Sequence, residues 1–315
     1  MENPEQQNNT EHSSSTHKTR IEQEAVISFL ESHNKEPVSN IEIVAGGEGS
    51  QAFSFESNRE DLILRMNRHS EEGFKKDEYA FNNFESQEIP IPEINEIGKT
   101  EDDQYFAISK KVNGKMFKNL SLEELNEALP SLFSVLDAIH SIDVSDSGGY
   151  GKWNSEGVGE NQSWKDMILS VDMYAKHMFE NSILEKEVWD KIYDRLVELT
   201  QYCPEEKYLI HGDYTTDNII AKNGKVEGVL DWADSRYGDY LYDIAPLSFW
   251  ERNFDYEKAY LEFCESKGKK IEHFDERVLC YKLYVGLGSL SFFAYSNQQD
   301  KYERSKAKLL ELIKN

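Results

Sequence analysis

His211-Gly212-Asp213-Tyr214-Thr215-Thr216-Asp217-Asn218, followed by Leu230-Asp231-Trp232, is the stretch that organises the reading of this chain. It matches H-x-D-x-x-x-x-N, with a second Asp after a strand, a turn and a strand, a constellation that phosphoryl transfer uses. Short apolar runs flank it at 208–210, 219–221 and 226–230 and predict strands. Asp213 and Asn218 then stand at opposite ends of one loop, so one can face an acceptor hydroxyl and the other a metal. Asp231 reaches the same metal from a neighbouring strand. The transition state of such a transfer is loose, so the protein's task is positioning and charge neutralisation, and Asp213 needs to orient its hydroxyl more than to deprotonate it early. The bland alternative is a Gly-Asp turn between strands and an N-cap at Asp231.

Outward from this core the chain divides. Residues 1–18 are polar and rich in Ser, Asn and Gln, and read as a mobile tail. Residues 19–112 predict a small lobe: a helix around Ile21–Leu30, strands at 41–45, 51–56, 61–67, 93–97 and 104–110, and one main helix over 74–85. That helix stops before Ile89-Pro90-Ile91-Pro92, because proline disfavours helical geometry in its predecessor. Gly46-Gly47-Glu48-Gly49-Ser50 between the first two strands permits a tight hairpin and close backbone approach to a ligand. Residues 113–315 predict a larger, mostly helical lobe, with helices over 121–140, 163–180, 184–201, 239–250, 255–267, 275–294 and 302–313. The expected architecture is bilobal α+β with a ligand cleft between the lobes.

With 35 Lys and Arg against 59 Asp and Glu, the net charge of −24 disfavours nucleic acid and anionic membrane, attracts cations, and also serves plain solubility. Cys203, Cys264 and Cys280 are widely spaced, without a CxxC pair or histidines at zinc spacing, and read as reduced structural thiols. The N-terminus has no apolar signal core, and no run is read as reaching the roughly 18 apolar residues of a membrane span. A cytoplasmic monomer is expected.

The segments HGDYTTDNII, GVLDW and GDYLYDIA resemble the aminoglycoside phosphotransferase family. GGEGSQAFSFES, LILRMNRHSEEGFKKDEYAF, IPIPEINEIG, Asp231–Asp234 and GDYLYDIAPLSFW look most like its hygromycin B phosphotransferases, over roughly residues 40–255. The resemblance implies a protein-kinase-like fold with a five-stranded N-lobe, ATP or GTP with Mg2+, and transfer to a hydroxyl of a cationic aminocyclitol. It implies that Asp213 is catalytic and that Asn218 and Asp231 hold the metal. Gly47, Gly49 and Ser50 would cover the phosphates, and Arg65 would take the place of the usual third-strand Lys. Glu78 would pair with Arg65, with Asp77 as its rival. Ser109 and Lys111 fall in the segment whose backbone reads the purine edge. Gly212 replaces the Arg of protein kinases, His211 is structural, and Asp243 resembles the Asp that braces the catalytic loop.

An aminoglycoside needs carboxylates opposite its ammonium groups. Asp217, Asp234 and Glu251 are the candidates near the motif, with Glu257, Glu262, Glu265 and Asp300 further off. Trp250 and Phe249 could stack a sugar face, and His140 reads as a packed helical residue. Two other functions compete: a metabolic kinase of choline, homoserine or a sugar, and a nucleotide-binding protein without turnover. Intact Asp213, Asn218 and Asp231 speak against the second of these.

Overall fold

The structure, a computed structural model, describes residues 21–34, 36–44, 49–251 and 253–314. The tail expected over 1–18 and Gly47 of the glycine turn lie outside them. The small lobe comprises α1 (Gln23–His33), β1 (Val38–Val44), β2 (Gln51–Ser57), β3 (Glu60–Asn67), α2 (Glu72–Phe84), β4 (Ile94–Lys99) and β5 (Tyr105–Lys110). Its five strands are antiparallel in the order β1-β2-β3-β5-β4. Alternation in β3 buries Leu62, Leu64 and Met66, which join Phe53, Phe55, Phe106 and Ile108 against Val26 and Leu30 of α1.

The C-terminal half of α2 belongs to the other core. Ala80, Phe84, Ile89 and Ile91 pack with the large lobe's apolar cluster, and Val229 N–H donates to Pro90 O (2.8 Å). The small lobe is thus anchored to the large one through one helix and the segment after it.

The large lobe runs β6 (Lys115–Met116), α3 (Leu122–His140), β7 (Tyr150–Trp153), β8 (Gly159–Asn161), α4 (Trp164–Leu169), α5 (Lys186–Leu199), β9 (Tyr208–Ile210), β10 (Ile219–Lys222), β11 (Lys225–Val229), β12 (Arg236–Gly238), α6 (Ile244–Trp250), α7 (Tyr256–Ser266), α8 (Phe274–Tyr295) and α9 (Gln299–Leu312). Ser121 and Glu124 form the capping box that starts α3. Two small sheets, β11-β10-β6 and β8-β7-β12-β9, carry the motif strands. β6, β7, β8 and β12, at two to four residues each, are too short for any periodicity to reveal.

The helix expected over 163–180 is shorter. It ends at Leu169 and tightens into a 3-10 turn, Ser170–Tyr174, where the Ser170 hydroxyl donates to Met167 O (2.7 Å) and Ala175 N–H to Asp172 O (3.2 Å). The helix expected from 239 starts as a 3-10 turn over Tyr240–Asp243, capped by Asp239, and becomes α-helical at Ile244. Contrary to the expectation from sequence, α8 is long and apolar enough to cross a membrane, with a mean hydropathy of 1.3 over its best window. Here it is the packed axis of the large lobe: Cys280, Tyr281, Leu283, Leu287 and Leu290 are fully enclosed against its neighbours.

Candidate active site

The His211–Asn218 loop leaves β9 at Ile210 and is braced from beneath. Asp243 is fully buried; its Oδ2 accepts from His211 N–H (3.0 Å) and its Oδ1 from Gly212 N–H (2.7 Å). His140 adds its ring Nε2 to Asp243 Oδ2 at 3.0 Å. The packed histidine read from sequence is therefore also part of the brace, which a lone helical His could not reveal. His211 is enclosed, and burial pushes its pKa down. The neutral imidazole donates from Nε2 to Leu230 O (3.0 Å) and accepts Asp213 N–H at Nδ1 (3.3 Å), which selects one tautomer. Gly212 adopts φ +84°, and a Cβ there would overlap the Asp234 carbonyl oxygen. Glycine at this place is thus a steric necessity of the loop as well as the loss of an arginine.

Across the loop, Asn218 Nδ2 donates to Asp213 Oδ2 (2.7 Å) and Asp213 O (3.0 Å). Burial, then the charges of Asp234 and Asp231, push the Asp213 carboxyl up to about 7, with the Asn218 hydrogen bond acting in opposition. Asp231 follows β11 in the left-handed region, φ 62°. It stands at the start of the 3-10 turn Trp232–Asp234, where no side-chain cap hydrogen bond forms, though the Ala233 backbone N–H favours its ionised form. Although this carboxylate opens onto the cleft, the enclosing walls, then Asp77, raise its pKa to about 6, while Arg65 works the other way.

Arg65 does meet an acid of α2, but that acid is Asp77 rather than Glu78. The Arg65 Nη2 to Asp77 Oδ2 distance is 2.6 Å, and Asp77 Oδ1 accepts Trp232 N–H at 2.7 Å. The helical period decides it: Phe74, Asp77, Ala80 and Phe84 form the buried face, and Glu78 is rotated off it. Burial opposes the Arg65 charge, yet Asp77 and Asp231 prevail and raise its pKa.

Two cavities meet at the loop. One, about 320 Å³, is walled by Gly49, Ser50, Arg65, Asp77 and Asp231; the other, about 1360 Å³, by Asp217, Trp250, Glu251, Tyr284 and Phe292 among others. Asp213, Asp231 and Asp234 line both. Ser109 and Lys111 line neither: Ser109 is buried between β3 and β4, and Lys111 N–H is committed to Asp61 O (2.9 Å), which withdraws that donor from a purine edge.

On the acceptor side the candidate acids are already engaged. Asp217 pairs with Lys118 and Asp234 with Lys152, while Glu251 Oε1 accepts the Thr216 hydroxyl at 2.5 Å. Burial would raise the Asp234 pKa, but Lys152 and Arg236 hold it down at about 2. Trp250 is 44% exposed at the cavity and meets Phe249 and Phe293 edge-on, whereas Phe249 is core. Glu257, Glu262, Glu265 and Asp300 line neither cavity. Sequence reading missed Lys76, Lys152 and Arg236, which surround Asp234; they lie outside the motif, and two of them sit on strands too short to predict.

Mg2+ fits the donor set. Hard oxygen donors are present in Asp213, Asp231 and Asn218, Asp231 opens onto the cleft, and Asn218 Oδ1 accepts no hydrogen bond from the described residues. Among the described residues no group of three or more His, Cys, Asp or Glu side chains forms a metal cage, in keeping with an ion that takes one or two protein ligands and completes its shell from phosphate and water.

Comparison with known proteins follows the same lines. The chain is 29% identical over 257 residues to the hygromycin-B 4-O-kinase of Escherichia coli, covering 80% of this chain and 74% of that one. It is 23% identical over 231 residues to a probable ketoamine kinase of Staphylococcus aureus, covering 69% and 75%. Its fold superposes with TM-score 0.83 and 27% identity on a thermostable variant of aminoglycoside phosphotransferase APH(4)-Ia in ternary complex with AMP-PNP and hygromycin B, covering 92% and 98% of the two chains. The profile of the phosphotransferase enzyme family spans residues 40–275, and the braced loop, the Asp231 turn and the two cavities lie within or border that span, so this chain belongs to the phosphotransferase enzyme family.

Proposed function

We propose that this chain transfers the γ-phosphate of ATP to a hydroxyl of a hygromycin-like aminocyclitol aminoglycoside. The observation that carries the reading is that Asp213 lines both cavities, so one carboxylate borders the phosphate-sized space beside Arg65 and the large space beside Glu251 and Trp250. GTP is the alternative donor. The AMP-PNP and hygromycin B held by the related phosphotransferase favour ATP and this acceptor class.

Asp213 orients the acceptor hydroxyl and takes up its proton as the transfer proceeds. Asn218 fixes Asp213 through its amide nitrogen and leaves its oxygen for the metal; Asp231 supplies the second oxygen. When bound, Mg2+ neutralises the charge developing on the phosphate oxygens. Arg65, Gly49 and Ser50 border the phosphates. Glu251 and the Asp217 and Asp234 pairs offer carboxylates to ammonium groups, and Trp250 offers a face for a sugar ring. An acidic chain suits a cationic acceptor, and ATP is an intracellular donor; a cytoplasmic monomer is part of the proposal.

The test is a panel of aminoglycosides, choline and small sugars assayed with ATP and GTP at increasing salt. Turnover is expected on hygromycin B, with its KM rising as salt screens the acidic pocket over roughly 8–10 Å. Turnover on choline or a sugar alone would assign the chain to metabolism.

A further inference from the structure

Lys76 is 4% exposed, in the interface between the lobes. A buried ammonium is costly unless its hydrogen bonds are met, so its partners identify its task. Its Nζ donates to Ala233 O (2.5 Å) and Ser235 O (3.3 Å), and lies 4.6 Å from the centre of the Trp153 ring. Both carbonyls belong to the turn that begins at Asp231. The next residue of α2, Asp77, accepts the Trp232 N–H of the same turn at 2.7 Å. Two consecutive side chains of one small-lobe helix therefore hold one turn by both polarities, an N–H at its start and carbonyls at its end.

The turn needs holding. Asp231 is a non-glycine residue in the left-handed region, a conformation that persists only where its surroundings impose it. Neither Gly212, which lies against the Asp234 carbonyl, nor the Trp232 core contact reaches the carbonyl of Ala233. No part of the phosphoryl-transfer reading above uses Lys76.

We propose that Lys76 is a positioning residue that sets the Asp231 carboxylate for Mg2+ by tethering the Ala233 and Ser235 carbonyls to α2, and so couples small-lobe docking to metal affinity. The proposal rests on the nucleotide half of the function assigned above and not on the acceptor. Because the lysine and Asp77 are adjacent, α2 cannot swing away without giving up its hydrogen bonds to the Asp231 turn, leaving the turn to its large-lobe contacts with Trp153 and Arg236.

Lys76→Met keeps the apolar stem and removes the donors. Titration calorimetry of AMP-PNP into the full chain, once with excess MgCl2 and once in EDTA, separates the metal-dependent from the metal-independent affinity. The variant is expected to lose roughly tenfold or more of the Mg2+-dependent affinity, the range for partners that orient a metal ligand, with the EDTA affinity unchanged. In turnover assays its Mg2+ requirement rises while KM for the acceptor stays constant. A wild-type Mg2+ dependence, or a proportional loss of every affinity, overturns the proposal. If Lys76→Met does not fold by circular dichroism, Lys76→Gln, which retains a neutral donor, is measured in its place. An intermediate loss confined to the Mg2+ arm supports the tether, and a wild-type Mg2+ dependence overturns it. Because AMP-PNP binding requires no acceptor, a chain that phosphorylates no aminoglycoside but shows this split would refute the acceptor assignment and leave the tether standing.

Discussion

Asp213→Asn should stabilise the metal-free protein while abolishing turnover. The Asp213 carboxyl is pushed from its usual 3.8 up to about 7 in the folded state, by burial and by Asp234 and Asp231. A raised acid favours folding relative to its ionised form: the contribution is fully present below pH 3.8 and is lost as pH rises through about 7. At pH 8 the folded protein therefore carries a strained negative charge that the unfolded chain bears freely. A shift of about three pH units has a ceiling of about 4 kcal/mol, which the loop's partial solvent exposure reduces to about 1–2 kcal/mol. For a chain of this size that is a gain of about 1.5–3 °C in Tm. The amide that replaces the carboxylate could still accept from Asn218 Nδ2 through its oxygen, so the 2.7 Å contact need not be lost. The assay is thermal unfolding in EDTA from pH 8 down to pH 4, with the gain largest at pH 8 and shrinking on acidification. A gain independent of pH, or destabilisation at pH 8, would refute the claim that this carboxylate is electrostatically strained. Turnover of the same variant should fall by a factor of about 10² or more.

Other expectations follow from the same geometry. Asp77→Ala removes the ion-pair partner of Arg65, leaving only the charge of Asp231 beside it, and leaves Trp232 N–H unmet; it should cost about 2–4 kcal/mol in denaturant unfolding, whereas Glu78→Ala should stay within about 0.5 kcal/mol. Equal effects would mean that the Arg65 partner is misidentified. Gly212→Ala places a Cβ against the Asp234 carbonyl at positive φ, so expression and turnover should both collapse; a stable, active variant would show that the loop tolerates another path. Asp231→Asn should weaken AMP-PNP binding about 10- to 100-fold with MgCl2 present and hardly at all in EDTA, and an unchanged Mg2+ response would place the metal elsewhere.

What could be read from sequence divides along physical lines. The five-stranded lobe was legible because β3 alternates along its length, β2 does so at Phe53 and Phe55, and β5 is a short apolar run; the loop was legible because Asp213, Asn218 and Asp231 are spaced by chemistry rather than by packing. Asp77 was open against Glu78 because the two differ only by about 100° around a helix, and only the buried face chooses between them. His140 was legible as a packed residue but not as part of the brace, and Lys76 and Lys152 gave no signal, since each acts on a backbone or carboxylate far away in the chain. α8 was legible as a large-lobe helix over 275–294, but not its apolar length, which reflects packing as the lobe's axis, a demand shared with a membrane span.

Direct transfer of a nucleotide's γ-phosphate to an aminocyclitol hydroxyl oriented by Asp213 is followed on the phosphate itself. Purified protein, ATP, MgCl2 and hygromycin B are incubated, and the product is examined by phosphorus NMR and mass spectrometry. The account predicts a single new phosphomonoester on hygromycin B, formed with release of ADP and missing when Asp213→Ala replaces the wild type. Failure to phosphorylate hygromycin B or any other aminoglycoside, while the same preparation binds Mg-AMP-PNP, would contradict it.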